Sequence, residues 1–450
     1  MSKAKLGAFD FAALSERCVK CGKCIQVCTV HGINGDEVTS PRGFVDLLGA
    51  YGRNELKLDK NTKKIFESCF LCTNCVDICG ESLPIDTAIE NIRARIAEKF
   101  GIAWYKKAAF WLLGHRKALD LAAALGYVFL SCGFKMRKDT QSSMSSRFDL
   151  PLLKKERLLP APAKKSFMNS YAELIDNGGE KTIGIFIGCM ANYAYTGVGE
   201  AVLHIARALK LNVNLMKEQA CCGAPAYFTG DFAAVERVAK FNIAYFEKVM
   251  PALDAIIVPE ATCSAMLRVD YAHFFENEPQ WKARAQKLAS KIFMASEYFY
   301  KFTNLSDLLM RRGKRALAIT YHDPCHARKM QGIWKEPRGL LAQNYEITEM
   351  NEPNKCCGFG GVTMQTERYE LARAVGLAKA RAMADLPVRV VSAECSACRM
   401  QLNNSLSLSG SQMRCVNPLE LIAEALVSEK NSRGKFQWIK FNICEIPAFR

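Results

Sequence analysis

Cys18-Val19-Lys20-Cys21-Gly22-Lys23-Cys24-Ile25-Gln26-Val27-Cys28 sets four cysteines within eleven residues, and Cys69-Phe70-Leu71-Cys72-Thr73-Asn74-Cys75-Val76-Asp77-Ile78-Cys79 repeats the spacing without deviation. Two residues between successive thiolates let three of them wrap one iron–sulfur cube, while the fourth reaches a second cube. Cys18, Cys21, Cys24 and Cys79 are therefore assigned to one [4Fe–4S] cluster, and Cys69, Cys72, Cys75 and Cys28 to another. A structural zinc ion also takes four thiolates, but its ribbons usually present two isolated C-x2-C pairs, so iron is favoured. The proline that usually follows the fourth cysteine is Thr29 in the first run and Gly80 in the second, a departure that removes no ligand.

Beyond the second run, Ile85, Ile89, Ile92 and Ile96 recur at helical spacing. The stretch between the runs holds Pro41-Arg42-Gly43 and then an apolar segment, 44–51. That is more chain than a compact two-strand ferredoxin needs, so an α-helical ferredoxin domain is expected over residues 1–100.

The later cysteines contain a duplication. Cys189, Cys221-Cys222-Gly223 and Cys263-Ser264-Ala265-Met266 are matched by Cys325, Cys356-Cys357-Gly358 and Cys395-Ser396-Ala397-Cys398, at offsets of 136, 135 and 132 residues. Near-constant offsets mark an internal repeat. In each copy an apolar strand (182–187; 316–321) leads into the first cysteine, a helix and a second strand lead to the Cys-Cys-Gly turn, a long helix follows, and a third strand (255–258; 388–391) ends beside the last cysteines. Strands alternating with helices imply a parallel α/β sheet with its functional groups in loops at the carboxyl ends of the strands. The glycine after each cysteine pair is expected to free space where a cluster approaches the backbone.

The second copy offers five thiolates: Cys325, Cys356, Cys357, Cys395 and Cys398. The first offers Cys189, Cys221, Cys222 and Cys263, with Met266 in the remaining place, and a thioether is more often core filling than an iron ligand. Cys132, Cys415 and Cys444 read as buried small hydrophobes.

These residues resemble the iron–sulfur subunit of glycolate oxidase and its relatives, the C subunit of anaerobic glycerol-3-phosphate dehydrogenase and the B and C subunits of heterodisulfide reductase. The resemblance covers about residues 15–425. It rests on Arg17-Cys18-Val19-Lys20-Cys21-Gly22, on Gly35-Asp36-Glu37 through Pro41-Arg42-Gly43, on the second ferredoxin run, on both Cys-Cys-Gly turns and on His322-Asp323-Pro324-Cys325-His326. It implies an α+β multidomain chain: a helical ferredoxin domain with two [4Fe–4S] motifs, then two α/β CCG domains at 179–310 and 311–430. It also implies an oxidoreductase subunit that passes electrons from an FAD-containing dehydrogenase subunit, acting on glycolate, D-lactate or glycerol 3-phosphate, towards the membrane quinone pool. A third iron–sulfur cluster is implied at the second CCG site. Met266 leaves the first site open between iron–sulfur and zinc. The five-cysteine set is similar to that of the heterodisulfide reductase B subunit, where such a site holds a non-cubane cluster, so disulfide reduction stands as an alternative to electron transfer, and a zinc-stabilised scaffold as the non-enzyme alternative.

His322 and His326 flank Cys325. They read either as hydrogen-bond donors to cluster sulfur and proton carriers, or, for His322 with Asp323, as caps of the helix that follows. No G-x-G-x-x-G after a strand, P-loop or G-x-S-x-G is present, so the hydride chemistry belongs to a partner.

The chain has 450 residues, 61 Lys plus Arg against 45 Asp plus Glu, and a formal charge of +16. At roughly 150 residues per domain that length suggests about three domains. Nine of the net positive charges fall in residues 101–170, which also hold Trp104, Tyr105, Phe110, Trp111 and the apolar run 121–134. Residues 101–178 read as basic, aromatic-rich linker helices. Over 104–138 they suit an anionic membrane surface, or else pack on this chain or the flavoprotein. The stretches 142–146 and 151–162 read as an exposed hinge, and residues 431–450 as a tail without a role. No nucleic-acid-binding module accompanies the charge. With no apolar leader behind Met1 and no run of roughly 20 apolar residues, the chain is expected in the cytoplasm, peripheral on the inner membrane's cytoplasmic face.

Overall fold

The computed structural model describes residues 9–137, 143–149 and 153–427. From residue 9 to residue 100 the regular elements are all helices. Ser40 caps the helix Pro41–Gly52, its Oγ accepting from the Gly43 N–H at 3.0 Å, with Pro41 at a position where no N–H is needed. That helix and Ile85–Phe100 bury Phe44, Leu48, Ile85, Ile89, Ile92 and Ile96 in one core. Both cysteine runs fold alike. Lys20 and Gly22 in the first, and Leu71 and Thr73 in the second, take positive φ on either side of the second cysteine. A left-handed non-glycine residue costs about 1–2 kcal/mol, so three of these four positions hold a conformation that only a wrapped thiolate loop justifies.

Residues 101–178 depart from a purely helical linker. Helices Trp104–Gly114 and Arg116–Val128 are followed by strands β1 (Phe134–Arg137), β2 (Ser143–Ser146) and β3 (Leu158–Pro160), which form an antiparallel sheet. The expected exposed hinge is instead packed down. Ser143, Ser146, Arg157 and Leu158 are buried, the Arg157 guanidinium donates to the carbonyl and side chain of Gln365 at 2.6 Å each, and the Leu158 N–H donates to Asn404 at 2.9 Å. Polar turn residues suggested exposure, yet the Arg157 guanidinium and the Leu158 amide find partners in the last third of the chain.

The repeat folds as two sheets of one design. Strands β4 (Leu174–Ile175), β5 (Thr182–Ile185), β6 (Asn212–Asn214), β7 (Ala255–Val258) and β8 (Ile292–Met294) lie in the order β4-β6-β5-β7-β8, parallel except for β4. Strands β9 (Ala318–Tyr321), β10 (Glu346–Ile347), β11 (Val390–Ser392) and β12 (Arg414–Val416) lie in the order β10-β9-β11-β12, all parallel. The copies interlock. Helix Thr196–Ala208 of the first packs on Pro418–Leu426 of the second, and Lys335–Leu341 of the second on Ala295–Phe302 of the first. Ile183, Ile185 and Ile257 consequently share one buried core with Ile319, Val390 and Val416. Among the described residues no helix is long and apolar enough to cross a membrane.

Candidate metal centre

Each cysteine set gathers where the fold turns back on itself. After burial itself, it is Cys18, Cys21 and Cys79 whose charges help raise the Cys24 thiol, to about 11. Burial comes first for Cys75 as well, followed by Cys69 and Cys72 and, less strongly, Cys28. The fourth cysteine of each run thus stands with the other run's three. Backbone amides face the sulfurs, from His31 to Cys28 at 3.5 Å and from Leu71 to Cys69 at 3.4 Å. Thr29, in the place of the usual proline, sets its hydroxyl 3.6 Å from Cys72 Sγ. The departure therefore adds a polar neighbour to a sulfur. Of the eight ferredoxin cysteines only Cys21 is exposed.

In the first copy Cys189, Cys221, Cys222 and Cys263 form a continuous chain of thiol contacts. Cys189 begins a short helix just after β5, and Cys263 lies in the helix Ala261–Ala265 after β7. In the second copy Cys357 touches Cys356 and Cys398, Cys398 touches Cys395, and Cys325 begins the helix after β9. The amides of Gly223 and Gly358 make the same contact in both, 3.5 Å from Cys221 Sγ and 3.4 Å from Cys356 Sγ. These two glycines have φ of 90° and 89°, and a Cβ would meet Val238 at 2.9 Å and Val375 at 2.8 Å, each on the long helix that follows. Backbone conformation and helix packing each call for glycine as the third residue of the turn.

Burial disfavours thiolate at Cys325 and Cys28, raising each to about 12, whereas thiol hydrogen bonds from Cys356 and Cys398 hold Cys357 down at about 6 and one from Cys398 holds Cys395 at about 7. Metal binding displaces those protons. Converging sulfurs, amides directed at them and the low dielectric of the site all suit iron–sulfur clusters, so the residues present fit the group.

The two CCG sets line one cavity of about 340 Å³, walled by Phe70, Phe110, Leu113, Phe228, Phe359 and Val362. The second ferredoxin set reaches the same place, because the Cys72 thiol contacts that of Cys356. Arg93 fixes this junction. Its buried guanidinium donates to the carbonyls of Cys69 at 2.5 Å, Phe66 at 3.3 Å and Phe228 at 2.9 Å, tying ferredoxin to the first copy.

The histidines do not cap. The helix Cys325–Gln331 has Pro324 at its cap position without a side-chain bond, and Asp323 pairs instead with Arg328 and, at 2.5 Å, with Arg338. His326 Nδ1 lies 3.4 Å from Cys325 Sγ, and its ring packs on Phe228. His322 is 1% exposed, and burial holds its imidazole neutral. Met266 is fully buried in the core of the first copy, in keeping with core filling. Cys415 is buried as expected, Cys132 is exposed, contrary to expectation, and Cys444 lies outside the described residues with the tail 431–450.

Sequence reasoning missed three kinds of residue here. Glu260, raised to about 7 by burial, accepts from the Ser396 N–H at 2.7 Å, where the last helix of the second site begins. Glu394, raised to about 8 by burial, accepts from the Ser296 N–H at 3.1 Å. Each copy thus lends a carboxylate to the other, and their shared place, just ahead of the last cysteines, was a readable signal. Lys379 is buried with its Nζ 2.7 Å from the Glu352 carbonyl; burial lowers it to about 8 while the charges of Cys357 and Cys356 favour its cation. It had no signal beyond a lysine on an amphipathic helix. Asp270, likewise raised to about 7 by burial, faces His326.

Comparison with known proteins matches residues 17–81 to the 4Fe-4S double cluster binding domain, and residues 183–268 and 319–403 to the cysteine-rich CCG domain. The chain is 26% identical to a probable glycolate oxidase iron-sulfur subunit of Bacillus subtilis, over 91% of this chain and 93% of that protein. It is 30% identical to lactate utilization protein A of Geobacillus kaustophilus over 40% of this chain and 72% of that one. It is 26% identical to one of the subunits of the fumarate reductase (CoM/CoB) of Methanothermobacter marburgensis, over 90% of this chain and 71% of that protein.

Proposed function

We propose that this chain, which belongs to the family of the glycolate oxidase iron–sulfur subunit, takes electrons from an FAD-containing dehydrogenase subunit and delivers them towards membrane quinone. Iron–sulfur clusters, when bound, supply one-electron acceptance and release. In this reading Cys18, Cys21, Cys24 and Cys79 hold the first [4Fe–4S] cluster and Cys69, Cys72, Cys75 and Cys28 the second. Cys325, Cys356, Cys357, Cys395 and Cys398 hold a third cluster, and Cys189, Cys221, Cys222 and Cys263 a metal centre of lower ligand count. The carrying observation is the contact between Cys72 and Cys356, which joins the ferredoxin thiolates to those of the second CCG site. The first set opens to the surface at Cys21, where a partner can exchange electrons, and the last faces a cavity with a mostly apolar lining.

The linker supports the membrane half of the reading. Leu121, Leu125, Val128 and Phe129 form an exposed stripe at helical spacing, and Trp104 and Trp111 are exposed on the preceding helix. Apolar and aromatic residues beside lysines bind an anionic leaflet, each basic residue contributing roughly 1 kcal/mol.

Anaerobic purification with iron, sulfide and zinc analysis tests the reading, followed by reduction of the chain by a co-purified flavoprotein and its hydroxy acid or phosphate ester. Bleaching of the cluster absorption on adding that substrate is expected. Zinc with little iron, or a flavoprotein that cannot reduce the chain, would refute it. Sedimentation with anionic vesicles at low salt, weakened at high salt, is expected for the membrane contact, and its absence at low salt removes that contact.

A further inference from the structure

The second CCG site contains a donor that its cysteine pattern does not count. The ligand atoms of His322, Cys357 and Cys398 lie within 4.8 Å of one another, and all three residues are buried. Both ring nitrogens of His322 are shut off from solvent without a hydrogen-bond partner. A buried polar atom left unpaired is costly, so an imidazole with two such atoms needs a reason to stand there. Donors on one tetrahedral metal at about 2.0–2.3 Å sit about 3.4–3.8 Å apart, within small rotations of the arrangement seen here.

The internal repeat supplies an independent observation. The offset that carries Cys189 onto Cys325 carries Phe186 onto His322, and Met266 occupies the place of Cys398. Phe186 and Met266 are both fully buried in the first copy's core. The two copies therefore differ together at two of the three positions of this group, keeping only Cys222 for Cys357. Replacing the imidazole and the thiol together by apolar side chains is what a shared metal requires, because either donor alone would be left unsatisfied in a dry core.

We infer that the second CCG site holds one iron of its cluster with three protein donors, the thiolates of Cys357 and Cys398 and a ring nitrogen of His322. The inference rests on the proposed occupancy of that site by iron. A neutral nitrogen in place of a thiolate lowers the negative charge on the centre and raises its potential, as histidine ligation does in other iron–sulfur proteins, which suits the last acceptor of a relay.

The test is pulsed EPR on the full chain, reconstituted anaerobically and grown with 15N-histidine, with the second site in a paramagnetic state. A strongly coupled histidine nitrogen is expected in the wild type, absent in His322→Ala and retained in His326→Ala, while the ferredoxin signals stay unchanged in all three as the control for folding. Iron at the second site with no strongly coupled histidine nitrogen, or one that survives His322→Ala, overturns the ligand assignment and leaves the relay standing. A wild-type chain whose iron is confined to the ferredoxin clusters overturns both. The wild-type measurement alone decides the ligand assignment if His322→Ala fails to fold.

Discussion

Two copies of one design share a core in this molecule, and they differ where metal would be held. Both sheets run in the same order, β6-β5-β7-β8 against β10-β9-β11-β12, and both Cys-Cys-Gly turns direct a glycine amide at the first sulfur of the pair. The last cysteine region departs. In the second copy Ser396–Leu408 is one regular helix that carries Cys398 inward, whereas in the first the short helix Ala261–Ala265 runs into a π-turn, Met266–Asp270, and Met266 is buried among apolar side chains. Fold and donor set are thus separable: the α/β frame tolerates four thiols or five because the fifth position points into a core that can be polar or apolar. Position relative to ferredoxin separates the copies as well, since Cys72 contacts Cys356 whereas Arg93 ties the ferredoxin backbone to Phe228 of the first copy.

The largest effect should come from making the second copy like the first. Cys398→Met removes a donor, and its cost in metal affinity should exceed the 10–100-fold typical of losing an outer-shell partner. Iron content should fall and the second-site EPR signal vanish with the ferredoxin signals intact. A signal of unchanged shape would mean that the fifth thiol is not a ligand and that the contrast between copies has no chemical content.

Arg93→Ala probes the other contrast. It strands the carbonyls of Cys69, Phe66 and Phe228 at a buried junction, and with about 1–3 kcal/mol for each buried group left unpaired the expected loss is at least about 3 kcal/mol, read as a lowered unfolding midpoint. A neutral outcome would show that the copies, not the ferredoxin docking, carry the stability of the chain.

Much of this was legible from spacing. Cysteine intervals count ligands, and a constant offset reveals a repeat, because both follow from the chain's local reach. The pairing of Cys72 with Cys356 was not legible, since it joins residues far apart through the docking of separate domains. The buried residues at 143–146 and 157–158 were misread because Ser and Pro carry the same local signal in an exposed turn as beside a packed strand. His322 was singled out by its neighbour Cys325, yet its proximity to Cys357 and Cys398 depends on how β9 and β11 lie side by side.

The exchanged carboxylates separate the copies by pH. Burial raises Glu260 from 4.5 to about 7 and Glu394 from 4.5 to about 8, so the folded chain keeps protons that the unfolded chain releases above about pH 4.5. Their contribution is complete below that pH and declines as pH rises, levelling off near 7 for Glu260 and near 8 for Glu394. At 1.36 kcal/mol per unit, the ceiling for Glu260 is about 3 kcal/mol. Thermal midpoints measured from pH 5 to 8 should fall less in Glu260→Gln than in the wild type, with the difference complete by pH 7. In Glu394→Gln the difference should keep growing to pH 8. Identical slopes in all three would mean that neither carboxylate holds its proton in the fold.

The smallest effect is expected from the reverse exchange, Met266→Cys. Two buried methyl or methylene groups are lost at about 0.8 kcal/mol each, so stability should drop by about 1.5 kcal/mol, read as a small shift in the denaturant midpoint. The iron content should not change, because Phe186 still stands where the second copy has His322, and a thiol alone beside Cys222 lacks the third donor. Adding Phe186→His to Met266→Cys supplies it. If the three-donor account is right, only the double variant should bind additional iron in the first copy, and the two substitutions should prove non-additive in metal content, as residues sharing one partner do. Iron gained by Met266→Cys alone would show that thiol count by itself sets the difference between the copies.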